Sequence, residues 1–96
     1  MTREEHLLTL MAEEACEVGQ QATKALRFGL EEVQKDQPLT NAERLRGELI
    51  DLLTIWEMLA EFWDHPTNNN FRDEIEAKKA KVEKWLEYSE TLGKLD

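Results

Sequence analysis

Between Leu45 and Trp63, apolar residues fill one arc of a helix, and two carboxylates sit inside that arc. At about 100° per residue, Leu45, Leu49, Leu52, Leu53, Trp56, Leu59, Ala60 and Trp63 share one side, and Ile55, Met58 and Phe62 widen it. Glu48 and Asp51 fall within the widened arc. A helix with so broad an apolar face needs neighbours on two sides, more than two other helices of one small protomer provide. The segment therefore predicts a helical bundle completed by homo-oligomerisation.

The rest of the chain agrees with an all-α reading. Only 4 Gly and 2 Pro occur in 96 residues, which favours long regular elements over a turn-rich fold. Punctuation is confined to "QKDQPLTNAE" at 34–43 and "DHPTNNN" at 64–70, and these two loops divide the chain into helical segments over about 3–33, 41–63 and 71–92. Thr40 or Asn41 is expected to cap the second segment, Asn70 to cap the third, and Gly93 to end it. The expected architecture is an antiparallel bundle of three main helices in a single domain spanning 1–96, near the lower size limit for a self-covering core.

In the first segment, Leu8, Met11, Ala15, Val18, Ala22 and Ala25 recur at helical spacing and predict the core stripe. Beside them run Leu7, Leu10, Glu14, Glu17, Gln21, Lys24 and Phe28, a mixed stripe expected to be covered but wet. Cys16 reads as a small semi-buried residue. In the third segment, Phe71, Ile75, Val82, Trp85, Leu86 and Leu92 make an amphipathic face, and Lys78, Lys79, Lys81 and Lys84 form the densest positive charge in the chain.

Charge narrows the function classes. A net charge of −9 argues against nucleic acid or an anionic membrane surface as partner, because polyanion binding rests on a basic field. No apolar run approaches the roughly 20 residues needed to span a bilayer. One cysteine makes no internal disulfide, and no basic stretch leads into an apolar one, so a cytoplasmic location is expected. His6 and His65 stand alone near segment ends and carry no catalytic signature.

The acids carry the chemical signal. Residues three apart lie on one helical face, so Glu14 pairs with Glu17 and Glu48 with Asp51. Among 21 Asp and Glu, "EEACE" at 13–17 alone reads as a solvated acidic face. Glu48 and Asp51 differ, since acids inside an apolar arc need a partner: a cation, or an Arg or Lys from another helix. Carboxylates without His or Cys suit a hard ion, Mg²⁺ with Mn²⁺ as substitute, and Mg²⁺ commonly works with substrate phosphates. Glu13, one turn from Glu17, is placed to act as base or to extend the metal shell.

With these residues in view, "EEACEVGQQATKALRFG" followed by "NAERLRGELIDLLTIWEML" resembles the MazG-like all-α nucleoside triphosphate pyrophosphohydrolases. Their E-E-x-x-E and E-x-x-D signatures fall on Glu13, Glu14, Glu17, Glu48 and Asp51. The resemblance covers about residues 8–62. It implies Glu14, Glu17, Glu48 and Asp51 as Mg²⁺ ligands and Glu13 and Glu17 as catalytic carboxylates. The reaction it implies is attack of water on the α-phosphorus of a (d)NTP, giving (d)NMP and pyrophosphate, in a homodimer or homotetramer. Lys78 and Lys81, then Lys24, are expected on the phosphates, and Phe28, Trp56 or the "HPTNNN" loop near the base. Two departures stand out: a long interval between Glu17 and Glu48, and no room before Glu13 for the N-terminal helix that helps bind the base in many relatives. The competing reading is a non-catalytic helical oligomer, an adaptor or a nucleotide sensor.

Overall fold

The computed structural model describes residues 1–63 and 71–96, which belong to two compact units, Met1–Asp64 and His65–Asp96. Three α-helices account for most of the described residues: α1, Arg3–Phe28; α2, Asn41–Ala60; and α3, Phe71–Thr91. The described residues contain no β-strand, only an isolated bridge between Val33 and Thr40. Asn70, His65 and the "HPTNNN" loop lie outside the described residues.

Two copies of one capping signature start the first two helices. At "TREE", the Thr2 hydroxyl accepts from the Glu5 amide at 3.1 Å and the Glu5 carboxylate accepts from the Thr2 amide at 2.9 Å. At "TNAE", Thr40 and Glu43 repeat this exchange at 3.1 and 3.0 Å. Each box satisfies amides that a helix start leaves without intrahelical acceptors. Thr40, rather than Asn41, is thus the cap of α2.

Helix α1 stops at Phe28, short of 33 but at the glycine of "RFGLEE", where the sequence marks a point at which the first segment bends or ends. Gly29 takes φ 100°, a region glycine enters without a Cβ clash, and its amide closes the last turn on the Ala25 carbonyl at 2.9 Å. The chain then doubles back instead of extending the helix. The Asn41 and Ala42 amides donate to the Glu32 and Leu30 carbonyls at 2.9 and 3.0 Å, and a turn at 34–37 carries Asp36 at φ 67°. The connection is a structured loop.

Helices α1 and α2 pack together along a seam that alternates steps of four and three. On α1 it runs Leu7, Met11, Glu14, Val18, Gln21, Ala25; on α2 it runs Asn41, Leu45, Glu48, Leu52, Ile55, Leu59. Leu7, Gln21, Ala25, Asn41 and Leu59 are buried, and the other seam residues are half-buried. This revises the expected core stripe. Leu8, Ala15 and Ala22 are exposed, as is Cys16, while Met11, Val18 and Ala25 of that stripe share the covered face with Leu7, Glu14 and Gln21 of the stripe expected to be covered but wet. The broad arc of α2 is divided: Leu59 is fully buried, whereas Leu49 and Leu53 remain about 45% exposed, as does Ile50 outside it.

The second unit contains α3, of which no described residue is buried. Its surface is laced by Arg72–Glu76 and Lys79–Glu76 ion pairs at 2.9 and 3.2 Å. Gly93, at φ 72°, ends it as expected: its amide donates to Glu90 and that of Lys94 to Ser89, both at 2.9 Å, the paired bonds of a glycine-terminated helix. No helix among the described residues is long and apolar enough to cross a membrane.

Candidate functional site

Two contacts give the register between α1 and α2. The Gln21 side-chain amide donates to Asn41 Oδ1 at 3.2 Å, and two turns away on each helix Glu14 and Glu48 come together. The order of the contacts is opposite along the two helices. A count of seven along each therefore carries the seam from an amide layer to a carboxylate layer.

The carboxylate layer gathers three acids. One oxygen from each of Glu14, Glu17 and Glu48 lies within 4.8 Å of the other two. A hard cation holding oxygens at about 2.1 Å keeps them no farther than about 4.2 Å apart, so small rotamer adjustments bring the three into one shell. Glu14 and Glu48 are half-buried and Glu17 is exposed, giving a site with a covered floor and an open side. Asp51 is exposed, yet its charge is felt at both Glu14 and Glu48. Glu13, next to Glu14 in the chain, is exposed.

Glu14 Oε2 and Glu48 Oε2 are both shielded from solvent and lack a hydrogen-bond partner. Such orphaned acceptors are uncommon, because an unmet buried polar atom forfeits its hydration. Loss of hydration is the main reason that the Glu14 carboxyl is pushed above its ordinary value, followed by repulsion from Glu17, Asp51 and Glu48. Glu48 is raised likewise, by lost hydration, then by a hydrogen bond shared with Glu17 and by the charges of Glu17 and Asp51, with Arg44 opposing. Among the described residues the ion pairs are those on α3, and Arg44 donates instead to Gln34 Oε1 at 2.8 Å. The basic partner weighed for Glu48 from sequence is therefore not seen among them.

The substrate-binding expectations scatter more widely. Lys24 is half-buried on α1 about 10 Å of helix beyond Glu17, and Phe28 is exposed about 21 Å beyond Glu14. Arg27 lies over the Phe28 ring at 4.8 Å. Trp56, half-buried, stands about 12 Å beyond Glu48 on α2 and packs edge-on against Trp63 at 4.9 Å. Because the contacts run in opposite order, Phe28 and Trp56 fall on opposite sides of the acid layer. Lys78 and Lys81 are exposed on α3, where Lys78 borders a shallow groove with Ile75 and Val82, and Lys81 another with Trp85 and Tyr88.

Sequence reasoning did not find the amide layer. Asn41 is 1% exposed and Gln21 3%. Besides accepting from Gln21, the Asn41 side chain donates to the Gly29 carbonyl at 2.9 Å and to Glu32 Oε1 at 3.1 Å. One side chain thus joins α1, the α1 terminus, the loop and α2. The available signal was positional: Gln21 and Asn41 each stand seven residues from an acid of the pair. The chain matches no family model, no curated protein and no solved structure.

Proposed function

We propose that the protein is a Mg²⁺-dependent nucleoside triphosphate pyrophosphohydrolase of the MazG-like type, converting (d)NTP to (d)NMP and pyrophosphate. The observation that carries the reading is the pair of solvent-shielded, unpartnered oxygens on Glu14 and Glu48, set beside Glu17 in one oxygen-only cluster. A folded chain keeps such oxygens without a protein donor where a ligand completes them. Oxygen-only donors fit Mg²⁺ or Mn²⁺. The E-E-x-x-E and E-x-x-D signatures add the reaction class.

In this reading Glu14, Glu17 and Glu48 hold the ion, and Asp51 joins them from one turn farther along α2. When bound, a divalent cation neutralises phosphate charge and lowers the pKa of an attacking water. Glu13, exposed at the rim, takes the proton of the water that attacks the α-phosphorus, and Glu17 orients that water from the open side. Lys24 neutralises part of the triphosphate. Trp56 or Phe28 borders the base.

The exposed Leu49, Ile50 and Leu53 support assembly into an antiparallel bundle completed by a second copy or by three. The role that follows is nucleotide-pool control or removal of unwanted nucleotides in the cytoplasm. The test is pyrophosphate release from a panel of (d)NTPs with Mg²⁺ or Mn²⁺. Release that is lost in Glu17→Gln and Asp51→Asn is expected. No release from any nucleotide, or full activity in both variants, would leave the helical adaptor or sensor as the better account.

A further inference from the structure

We infer that the buried Gln21–Asn41 amide pair is the register lock of the α1–α2 hairpin, a positioning device that holds Glu14 opposite Glu48 before any cation arrives. The inference deepens the metal-site reading and rests on it for its purpose, though not for its geometry.

Along the seam, most positions are apolar and interchangeable in character: Leu7, Met11, Val18 and Ala25 on α1, and Leu45, Leu52, Ile55 and Leu59 on α2. Packing of that kind tolerates sliding by a turn, because one apolar residue replaces another in each layer. The polar positions do not tolerate it. A slip of one turn sets Gln21 against a leucine layer and takes from Asn41 Oδ1 the donor it has at 3.2 Å. Both side chains are almost wholly buried, so neither recovers its bond from water.

The carboxylate layer works in the opposite sense. Without a cation, Glu14, Glu17 and Glu48 repel one another, and sliding is one way to separate them. The amide layer, two turns away and in the same seam, opposes that slide. Its hold extends into the connection, since Asn41 also donates to Gly29 and Glu32, which anchors the loop that would otherwise take up the slack. Buried amides that specify alignment at some cost in stability are an established device of helical seams. Here that alignment would set the acid cluster.

The test uses the full chain with spin labels on the native, exposed Cys16 and on a second site created by Glu57→Cys. The wild-type register gives a single narrow distance distribution. Gln21→Leu is expected to keep its helix content but to broaden or shift that distribution by about one helical turn, ~5.4 Å, and to weaken Mn²⁺ binding by about tenfold or more. Leu7→Ala, a seam change of purely apolar character, is expected to lower stability while leaving distance and Mn²⁺ affinity unchanged. If Gln21→Leu does not fold, adding Glu14→Gln and Glu48→Gln is expected to restore a folded hairpin, because the repulsion is gone, with the distance distribution still broadened or shifted, because the lock is absent.

An unaltered distance in Gln21→Leu overturns the lock, as does the same disturbance in Leu7→Ala. Failure of the triple variant to fold also overturns it, making the pair a general requirement of folding. The distance measurement is independent of metal, so absence of Mn²⁺ binding by the wild type would count against the metal site and leave the lock standing or falling on distance alone.

Discussion

The seam of the hairpin contains two polar layers, and they are finished in opposite ways. Gln21 and Asn41 are nearly inaccessible and bonded to each other. Glu14 and Glu48, two turns away, are more open, yet each keeps a shielded oxygen without a partner. The first layer is complete within the chain. The second leaves two shielded oxygens without a partner, and a proton or a cation would supply one.

The contrast breaks first at catalysis. On the proposed function, Glu48→Gln removes a charged ligand, and pyrophosphate release should fall by more than the roughly 10–100-fold that loss of an outer partner costs a metal site. Next comes stability. Asn41→Ala removes the shorter bonds to the Gln21 amide and the Gly29 carbonyl and leaves each only a 3.4 Å backbone contact, and chemical denaturation should show a loss of about 1–3 kcal/mol. Glu14→Leu with Glu48→Leu should move the metal-free melting temperature upward, since apolar replacement of an unpaired acid layer relieves lost hydration and repulsion. Equal destabilisation by both changes would erase the distinction between the layers.

Mg²⁺ sharpens the same comparison. At about 100 times its dissociation constant it should stabilise the wild type by ~2.7 kcal/mol through linkage, and the Glu14→Leu, Glu48→Leu variant by nothing. A smaller effect belongs to the cap of α2: Thr40→Ala should cost about 1 kcal/mol in thermal or chemical unfolding, without altering metal response.

Acidity supplies a further, signed test. Glu14 and Glu48 are raised above 4.5 in the folded chain, so the folded state binds more protons than the unfolded one in that window. The stability they contribute is full below the ordinary carboxylate value and is lost as pH rises through the raised values. Glu5 and Glu43, lowered by their bonds to Thr2 and Thr40, act in reverse and lose their contribution as pH falls. In metal-free melts, Glu14→Gln with Glu48→Gln should therefore exceed the wild type at neutral pH, with the gap closing toward pH 4.5.

Much of the fold was legible because helix ends and periodicity are local. The start of α2 follows from its capping box and the end of α3 from Gly93, and α3 begins at Phe71 as its periodicity predicts. The end of α1 was legible at Gly29 as a weak point within "RFGLEE", but the choice between a bend and a stop was not, because it is made by the positive φ of Gly29 and by the bonds of the loop to the start of α2. The buried face was misplaced for a different reason. Ala15 and Ala22 count as apolar in a periodic pattern but bury little area, whereas Glu14 and Gln21 occupy seam positions that only a partner helix makes tolerable. The acids could be found from their spacing. The role of Asn41 could not, because its partners lie between nine and twenty residues away and exist only once the loop has closed.

The central claim is that the Glu14–Glu48 layer is left open for a divalent cation. Mn²⁺ binding followed by its paramagnetic resonance, in the wild type and in Glu14→Gln with Glu48→Gln, tests it most directly. Saturable binding in the wild type that disappears in the variant is the predicted result. No saturable binding in the wild type, or equal binding in both, would contradict it.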